Sequence, residues 1–326
     1  YIRSIEDLEL PPIFFEMAKE KNGIVLVTGA TGTGKTTSLA AILDEINRTQ
    51  AVHVVTLEDP VEFIHLPKMS TFNQRELGTD FRTFSEGLRS ALRQAPKVIL
   101  VGEMRDRETV EMALSAAETG HLVFSTLHTV DTGTTVNRVV GLFDHEEEKL
   151  IRVRLADSLR WVVSQRLLPK IGGGRVAALE VMGSSLLIKD IITNGESPEK
   201  TFYGAVESMR PLGFQTFDQH ITDLFRNKVI AEETARTFSS KKNVMSRNID
   251  TLKAEAGEFK YDINDLALEE SDEPEIYGGA DKMEAKETSP PPPPHPPTRA
   301  DARIRSGGPP QPAGAESQVI RRSFTD

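Results

Sequence analysis

The sequence predicts an α/β domain: a mainly parallel sheet flanked by helices, a helical C-terminal part and a disordered C-terminal tail. Three observations carry this expectation. Strand-like and helix-like segments alternate from Tyr1 to about residue 245, the rhythm of parallel strands joined by crossover helices. Within that rhythm, Gly29-Ala30-Thr31-Gly32-Thr33-Gly34-Lys35-Thr36 fits G-x-x-x-x-G-K-[ST] at every fixed position. Beyond about residue 245 the apolar periodicity gives way to an acidic and then a proline-rich composition.

Taken in order, Ile2 to Lys21 precedes the first strand, and residues 1–22 are expected to be a connector. The first strand is Gly23 to Thr28, a β-branched run that feeds the glycine turn. Ser38 to Arg48 follows as a helix, with Leu39, Ile42, Leu43 and Ile46 on one face. Val52 to Leu57, Val98 to Val101, Leu122 to Thr126 and Arg175 to Val181 read as further strands, and Phe84 to Arg93 and Arg107 to Glu118 as helices. In the second of these helices Val110, Ala113, Leu114 and Ala117 share a face. Glu146 to Leu168 reads as one long helix offering Leu150, Val153, Leu159, Val162, Val163 and Leu167 for packing, with Trp161 inside it as a packing residue. The ordered domain is expected to span 23–245 and the tail 246–326. Pro290 to Pro294, Pro296 and Pro297 give that tail a polyproline II segment, read as a solvated spacer in preference to a docking site.

The strand, glycine turn and helix form a cradle for a nucleoside triphosphate. Glycines let backbone N–H groups turn around the α- and β-phosphates, and the helix N-terminus adds its partial positive charge. Residues Gly29 to Thr37 are therefore the candidate ATP-binding segment: Lys35 reaches the β- and γ-phosphates, and the Thr36 hydroxyl holds Mg²⁺, with Thr37 beside it. Apolar Val98 to Val101 runs into Gly102-Glu103, the place for an acidic Mg²⁺ partner at a strand end. Thr56-Leu57-Glu58-Asp59-Pro60-Val61-Glu62 packs three carboxylates into five positions where Pro60 stops a strand. Beside a triphosphate, such a group suits metal and water handling. His121 and His128 bracket another strand, a weak signal taken alone.

The bulk composition sets bounds. Of 326 residues, 38% are hydrophobic, enough for a core, and no apolar run approaches the ~20 residues of a membrane span. No signal peptide opens the chain and it holds no cysteine, which excludes disulfides and cysteine-based zinc sites; a cytoplasmic location is expected. Tyr1 in place of methionine points to a piece lacking an N-terminal part. Of the net charge of −10, residues 261–287 supply −8 through ten acidic groups against Lys282 and Lys286. The remainder is nearly neutral and shows no broad basic face for nucleic acid.

With these segments in place, the chain resembles the secretion ATPase superfamily, and specifically the PilT-type pilus-retraction ATPases of type IV pili. Walker A, Asp, Walker B and His boxes stand at 29–36, 56–62, 98–103 and 120–129, accompanied by strings such as Asn73-Gln74-Arg75-Glu76, Gly102-Glu103-Met104-Arg105-Asp106 and Ala116-Ala117-Glu118-Thr119-Gly120-His121. The resemblance covers about residues 1–240 and implies a RecA-like core working as a homo-hexameric, Mg²⁺-dependent ATPase motor. It implies that Glu62 is the base for the attacking water, that Glu103 is the Walker B glutamate, and that His121 and His128 are the His-box pair, with His128 sensing the γ-phosphate. Glu58 and Asp59 are supporting residues of the acidic box. Leu187 to Glu196 resembles a C-terminal helix motif of retraction motors, from which Thr193 and Asn194 depart. The resemblance further implies a preceding PAS-like domain supplying arginines to a neighbouring site, an inner-membrane platform protein as partner, other pilus motor ATPases as associates, and a place at the inner face of the inner membrane. The absence of cysteine excludes the four-cysteine zinc element of assembly ATPases. An ATP-binding accessory subunit with little hydrolysis and a nucleic-acid translocase are the competing readings; Glu62 and Glu103 weigh against the first, and the lack of basic patches with interleaved aromatics against the second.

Overall fold

A computed structural model describes residues 2–257. In chain order the elements are α1 (Ile13–Lys19), β1 (Gly23–Thr28), α2 (Lys35–Thr49), β2 (His53–Glu58), β3 (Thr71–Glu76), α3 (Phe84–Leu92), β4 (Val98–Val101), α4 (Arg107–Glu118) and β5 (Leu122–Leu127). Then follow α5 (Thr132–Val140), α6 (His145–Ser158), β6 (Leu159–Pro169), β7 (Arg175–Gly183), α7 (Leu186–Asn194), α8 (Phe202–Ser208), α9 (Phe217–Arg226), α10 (Glu232–Phe238) and α11 (Lys242–Glu255). The seven strands form one sheet in the order β3-β2-β4-β5-β1-β6-β7, parallel throughout except for the antiparallel β6–β7 pair.

Both faces of the central strands are covered, which is why β1 reads as a continuous apolar run and not an alternating one. Its successive side chains point to opposite faces: Ile24 and Leu26 join the core beneath α4, α5 and α6, while Val25 and Val27 join the core beneath α1 and α2. A third core lies at the far end of β6 and β7, where Leu168, Val176 and Ala178 meet Phe217, Ile221, Met245 and Ile249 of α9 and α11. The stretch expected to be a connector packs as part of the domain, since Ile5, Phe14 and Met17 are fully buried against α2 and the sheet.

Two expectations are corrected. Glu146 to Leu168 is not one helix: α6 ends at Ser158 and the chain passes directly into β6. Trp161-Val162-Val163 carries an aromatic and two β-branched side chains, which fit the pleated surface between β1 and β7 better than a helix turn. Leu150 and Val153 remain exposed, while Leu159, Val162 and Val163 are buried by the sheet. Trp161 does pack, edge-on to Phe214 at 6.0 Å, and its indole N–H donates to Glu20 Oε1 at 2.8 Å. The second correction concerns residues 246–255, expected in the tail: they continue α11, with Ile249 fully buried. The remainder of that expectation, from residue 258 onward, lies outside the described residues. β3 is an additional strand, polar enough to have escaped the hydrophobic pattern.

Candidate active site

The glycine turn is built by close approach. At Gly29, φ is 142° and a Cβ would stand 2.4 Å from the Gln165 carbonyl oxygen, so only glycine lets β1 turn here beneath β6. Gly34, at φ 89°, sits at the N-cap of α2 and provides no side-chain cap. Thr83, Asp106, Asp131, Ser185 and Thr216 all cap their helices with side-chain oxygens. The first N–H groups of α2 are thus left facing the cleft, as an anion-binding helix start requires. Lys35 is 8% exposed, and its Nζ donates to the carbonyls of Gly29 at 2.8 Å and Ala30 at 3.0 Å. Burial lowers its pKa, opposed by the nearby carboxylates of Glu103 and Glu62.

Because β1, β2, β4 and β5 run parallel, their C-terminal ends meet at one edge of the sheet, where an open α/β sheet places its ligands. That edge forms a cleft of about 570 Å³ lined by the phosphate loop, Glu58, Asp59, Glu62, Glu103 and His128. The Thr36 hydroxyl donates to Glu62 Oε1 at 3.1 Å. Glu103 pairs with Arg105 at 2.7 Å, and His128 Nε2 approaches the same Glu103 oxygen at 3.4 Å. Glu58 lines the cleft, but its carboxylate is turned to its supports: it accepts from Thr56 Oγ1 at 2.6 Å and Gln74 Nε2 at 3.2 Å, and burial raises its pKa.

His121 is not brought into this cleft. It precedes β5 while His128 follows it, and six strand residues separate the two by about 20 Å. Its Nδ1 instead sits 2.9 Å from the Ala116 carbonyl at the opposite edge of the sheet.

Residues that the sequence reading did not single out complete the cleft. Gln165, 3% exposed, donates from Nε2 to the Thr33 carbonyl at 2.7 Å and accepts from Ser38 Oγ at 2.9 Å, holding the phosphate loop from beneath. Asn47, in the last turn of α2, binds the Leu66 carbonyl and the N–H groups of Lys68 and Met69, fixing the downstream end of the loop that carries Glu62. Arg105 and Arg175 also line the cleft. Of these positions, Arg105 stands in one of the family-like strings and Arg175 begins an expected strand, whereas Gln165 and Asn47 carried no such signal.

The donor set suits a particular cation. Among the described residues no three His, Asp or Glu side chains gather as a metal cluster, and one threonine hydroxyl with two separated glutamates faces the phosphate cradle. Such a set fits a hard ion held mainly by phosphate oxygens and water, the habit of Mg²⁺. Among the described residues no helix is long and apolar enough to cross a membrane.

Comparison with known proteins agrees with this geometry. The type IV pilus retractation ATPase PilT of Pseudomonas aeruginosa is 47% identical over 235 residues, 72% of this chain and 68% of that protein. A twitching motility protein of Neisseria gonorrhoeae is 44% identical over 246 residues, 75% of this chain and 65% of that protein. The chain thus spans about two thirds of the length of these relatives. A crystal structure of the pilus retraction motor PilT with bound ADP superposes with a TM-score of 0.70 at 42% identity, covering 76% of this chain and 70% of that one. A profile described as Type II/IV secretion system protein matches residues 9–246, and the chain belongs to that family.

Proposed function

We propose that this chain is the ATP-hydrolysing motor of type IV pilus retraction, working as a homo-hexamer with its nucleotide sites at subunit interfaces. The observation that carries the reading is the meeting of Lys35, Thr36, Glu62, Glu103 and His128 around one cleft at the carboxyl edge of the sheet. Retraction, the hexamer and twitching motility follow from likeness to the retraction motors above. A preceding domain that lends arginines across the interface, a platform protein in the inner membrane, associated pilus motor ATPases and a cytoplasmic place at that membrane belong to the same reading.

In this reading each side chain has its own work. The uncapped N–H groups of α2 and the Lys35 ammonium would bind the β- and γ-phosphates, and the Thr36 hydroxyl together with Glu103, partly through water, would hold Mg²⁺. When bound, Mg²⁺ supplies charge neutralisation on the γ-phosphate. Glu62, 3.1 Å from Thr36 Oγ1, stands beside that phosphate, where it orients a water molecule and takes its proton. His128 reaches the same region from the end of β5 next to Glu103. His121 has no part in the chemistry of its own subunit.

The test is phosphate release from Mg²⁺-ATP by the purified protein beside Lys35→Ala. The expected result is Mg²⁺-dependent turnover that the variant loses while its circular dichroism is unchanged. Nucleotide binding without turnover in the wild type would favour the accessory-subunit reading, and turnover by Lys35→Ala at the wild-type rate would refute the phosphate loop.

A further inference from the structure

The loop from Asp59 to Ser70 carries Glu62 but has no strand or helix of its own. Its exposed Ile64, Leu66 and Met69 give it little apolar anchorage. Its position therefore depends on where its backbone polar groups find partners. In the half that contains Glu62, side chains of β3 provide them. The Val61 N–H donates to Glu76 Oε2 at 3.0 Å. Gln74 grips the loop twice, donating from Nε2 to the Phe63 carbonyl at 2.8 Å and accepting at Oε1 from the His65 N–H at 2.8 Å. The same Nε2 also reaches Glu58 Oε1 at 3.2 Å. In the parallel register Gln74 stands opposite Thr56 and Glu76 opposite Glu58, so the four side chains share one face of the sheet edge.

We propose that Gln74, with Glu76 and Glu58, is the positioning residue that sets the aim of Glu62. Only a side chain with both an amide donor and a carbonyl acceptor satisfies Phe63 and His65 together. A glutamate at 74 lacks the donor and adds a third carboxylate beside Glu58 and Glu76; a lysine lacks the acceptor. Because the bonds fall at 61, 63 and 65, they fix the backbone on both sides of Glu62 without touching nucleotide. Their loss therefore acts on hydrolysis and spares binding, since the phosphate loop and the start of α2 are held separately, by Gln165 at Thr33 and Ser38 and by Lys35 at Gly29 and Ala30.

This inference rests on Glu62 as the base, so Glu62→Gln is measured alongside. The experiment is single-turnover ATP hydrolysis by the full-length protein, with ATP affinity and melting temperature, for Gln74→Met, Gln74→Glu, Glu76→Gln and Glu76→Leu. The two Gln74 variants are expected to hydrolyse about 10- to 100-fold more slowly with ATP affinity within about twofold of wild type, the signature of a misaimed group. Glu76→Gln keeps an acceptor for Val61 and should remain near the wild-type rate, whereas Glu76→Leu should fall as Gln74→Met does. A Gln74→Met protein at the wild-type rate, or one that loses rate, affinity and melting temperature together, overturns the proposal. Should Gln74→Met fail to fold, equal rates for Glu76→Gln and Glu76→Leu overturn it. An inactive Glu62→Gln beside a fully active Gln74→Met refutes the positioning role alone; normal hydrolysis by Glu62→Gln removes the base assignment and this inference with it.

Discussion

Acid should loosen the protein through His65, which lies three residues beyond Glu62. The ring is stacked on Phe72 at 4.7 Å and 8°, it is 5% exposed, and its Nδ1 is buried with no hydrogen-bond partner. Burial pushes its pKa down to about 4; Asp44 opposes the shift and Lys68 adds to it. The folded value lies below the unfolded one, so the native state binds fewer protons: the stabilisation is present above pH 6.5 and is lost as pH falls toward 4. The full difference corresponds to about 3 kcal/mol, and roughly 2.5 kcal/mol of it should be gone by pH 4.5. His65→Phe keeps a ring on Phe72 and removes the titrating group. Urea unfolding of wild type and variant at pH 7.0 and 4.5 separates this group from the others, because their titrations cancel in the comparison. The variant should lose roughly 2.5 kcal/mol less than wild type over that interval. Equal losses in the two proteins would refute the buried, neutral imidazole.

Three further outcomes are expected. Gly29→Ala forces a Cβ against the Gln165 carbonyl oxygen, and isothermal titration should show weakened ATP binding together with a lower melting temperature. Phe14→Ala empties a fully buried site under α2 and should cost about 3–5 kcal/mol in chemical denaturation, as a core residue does and a connector residue does not. Removing residues 258–326 should leave melting temperature and hydrolysis nearly unchanged, whereas a cut at residue 244 also strips the buried Met245 and Ile249 and should cost several kcal/mol, roughly 2–5 for each.

How much of this was legible in the sequence follows from the kind of signal each element carries. β1, β4 and α4 were read to the residue, because strands buried on both faces and an apolar helix stripe stand out from their polar flanks. The phosphate loop and the acids at 58, 59, 62 and 103 were legible because their chemistry requires fixed residue types at strand ends. β3 was not, since Thr71-Phe72-Asn73-Gln74-Arg75-Glu76 is an edge strand whose worth lies in its polar side chains. The join of α6 to β6 was missed because Ser158 and Leu159 pass from helix to strand with no glycine or proline to mark the change. That error concealed Gln165, whose role beneath the phosphate loop depends on its lying in a strand beside β1. His121 shows the opposite limit: a motif can name a residue, but only the direction of the strand tells which edge it occupies.

The grip of Asn47 on residues 66, 68 and 69 has a consequence for how this protein tolerates change. α2 starts at the phosphate cradle and ends, about 18 Å away, with a side chain that clasps the far end of the Glu62 loop, while Gln74 clasps the near end. The loop is a cord knotted at 63, 65, 66 and 68, so its length is a fixed dimension of the machine even though the exposed side chains at 64 and 66 are free to vary. One residue inserted among these knots would have to bulge outward or slacken the cord. Substitution at Ile64 is therefore a question of surface chemistry, and insertion beside it a question of whether the protein still hydrolyses ATP.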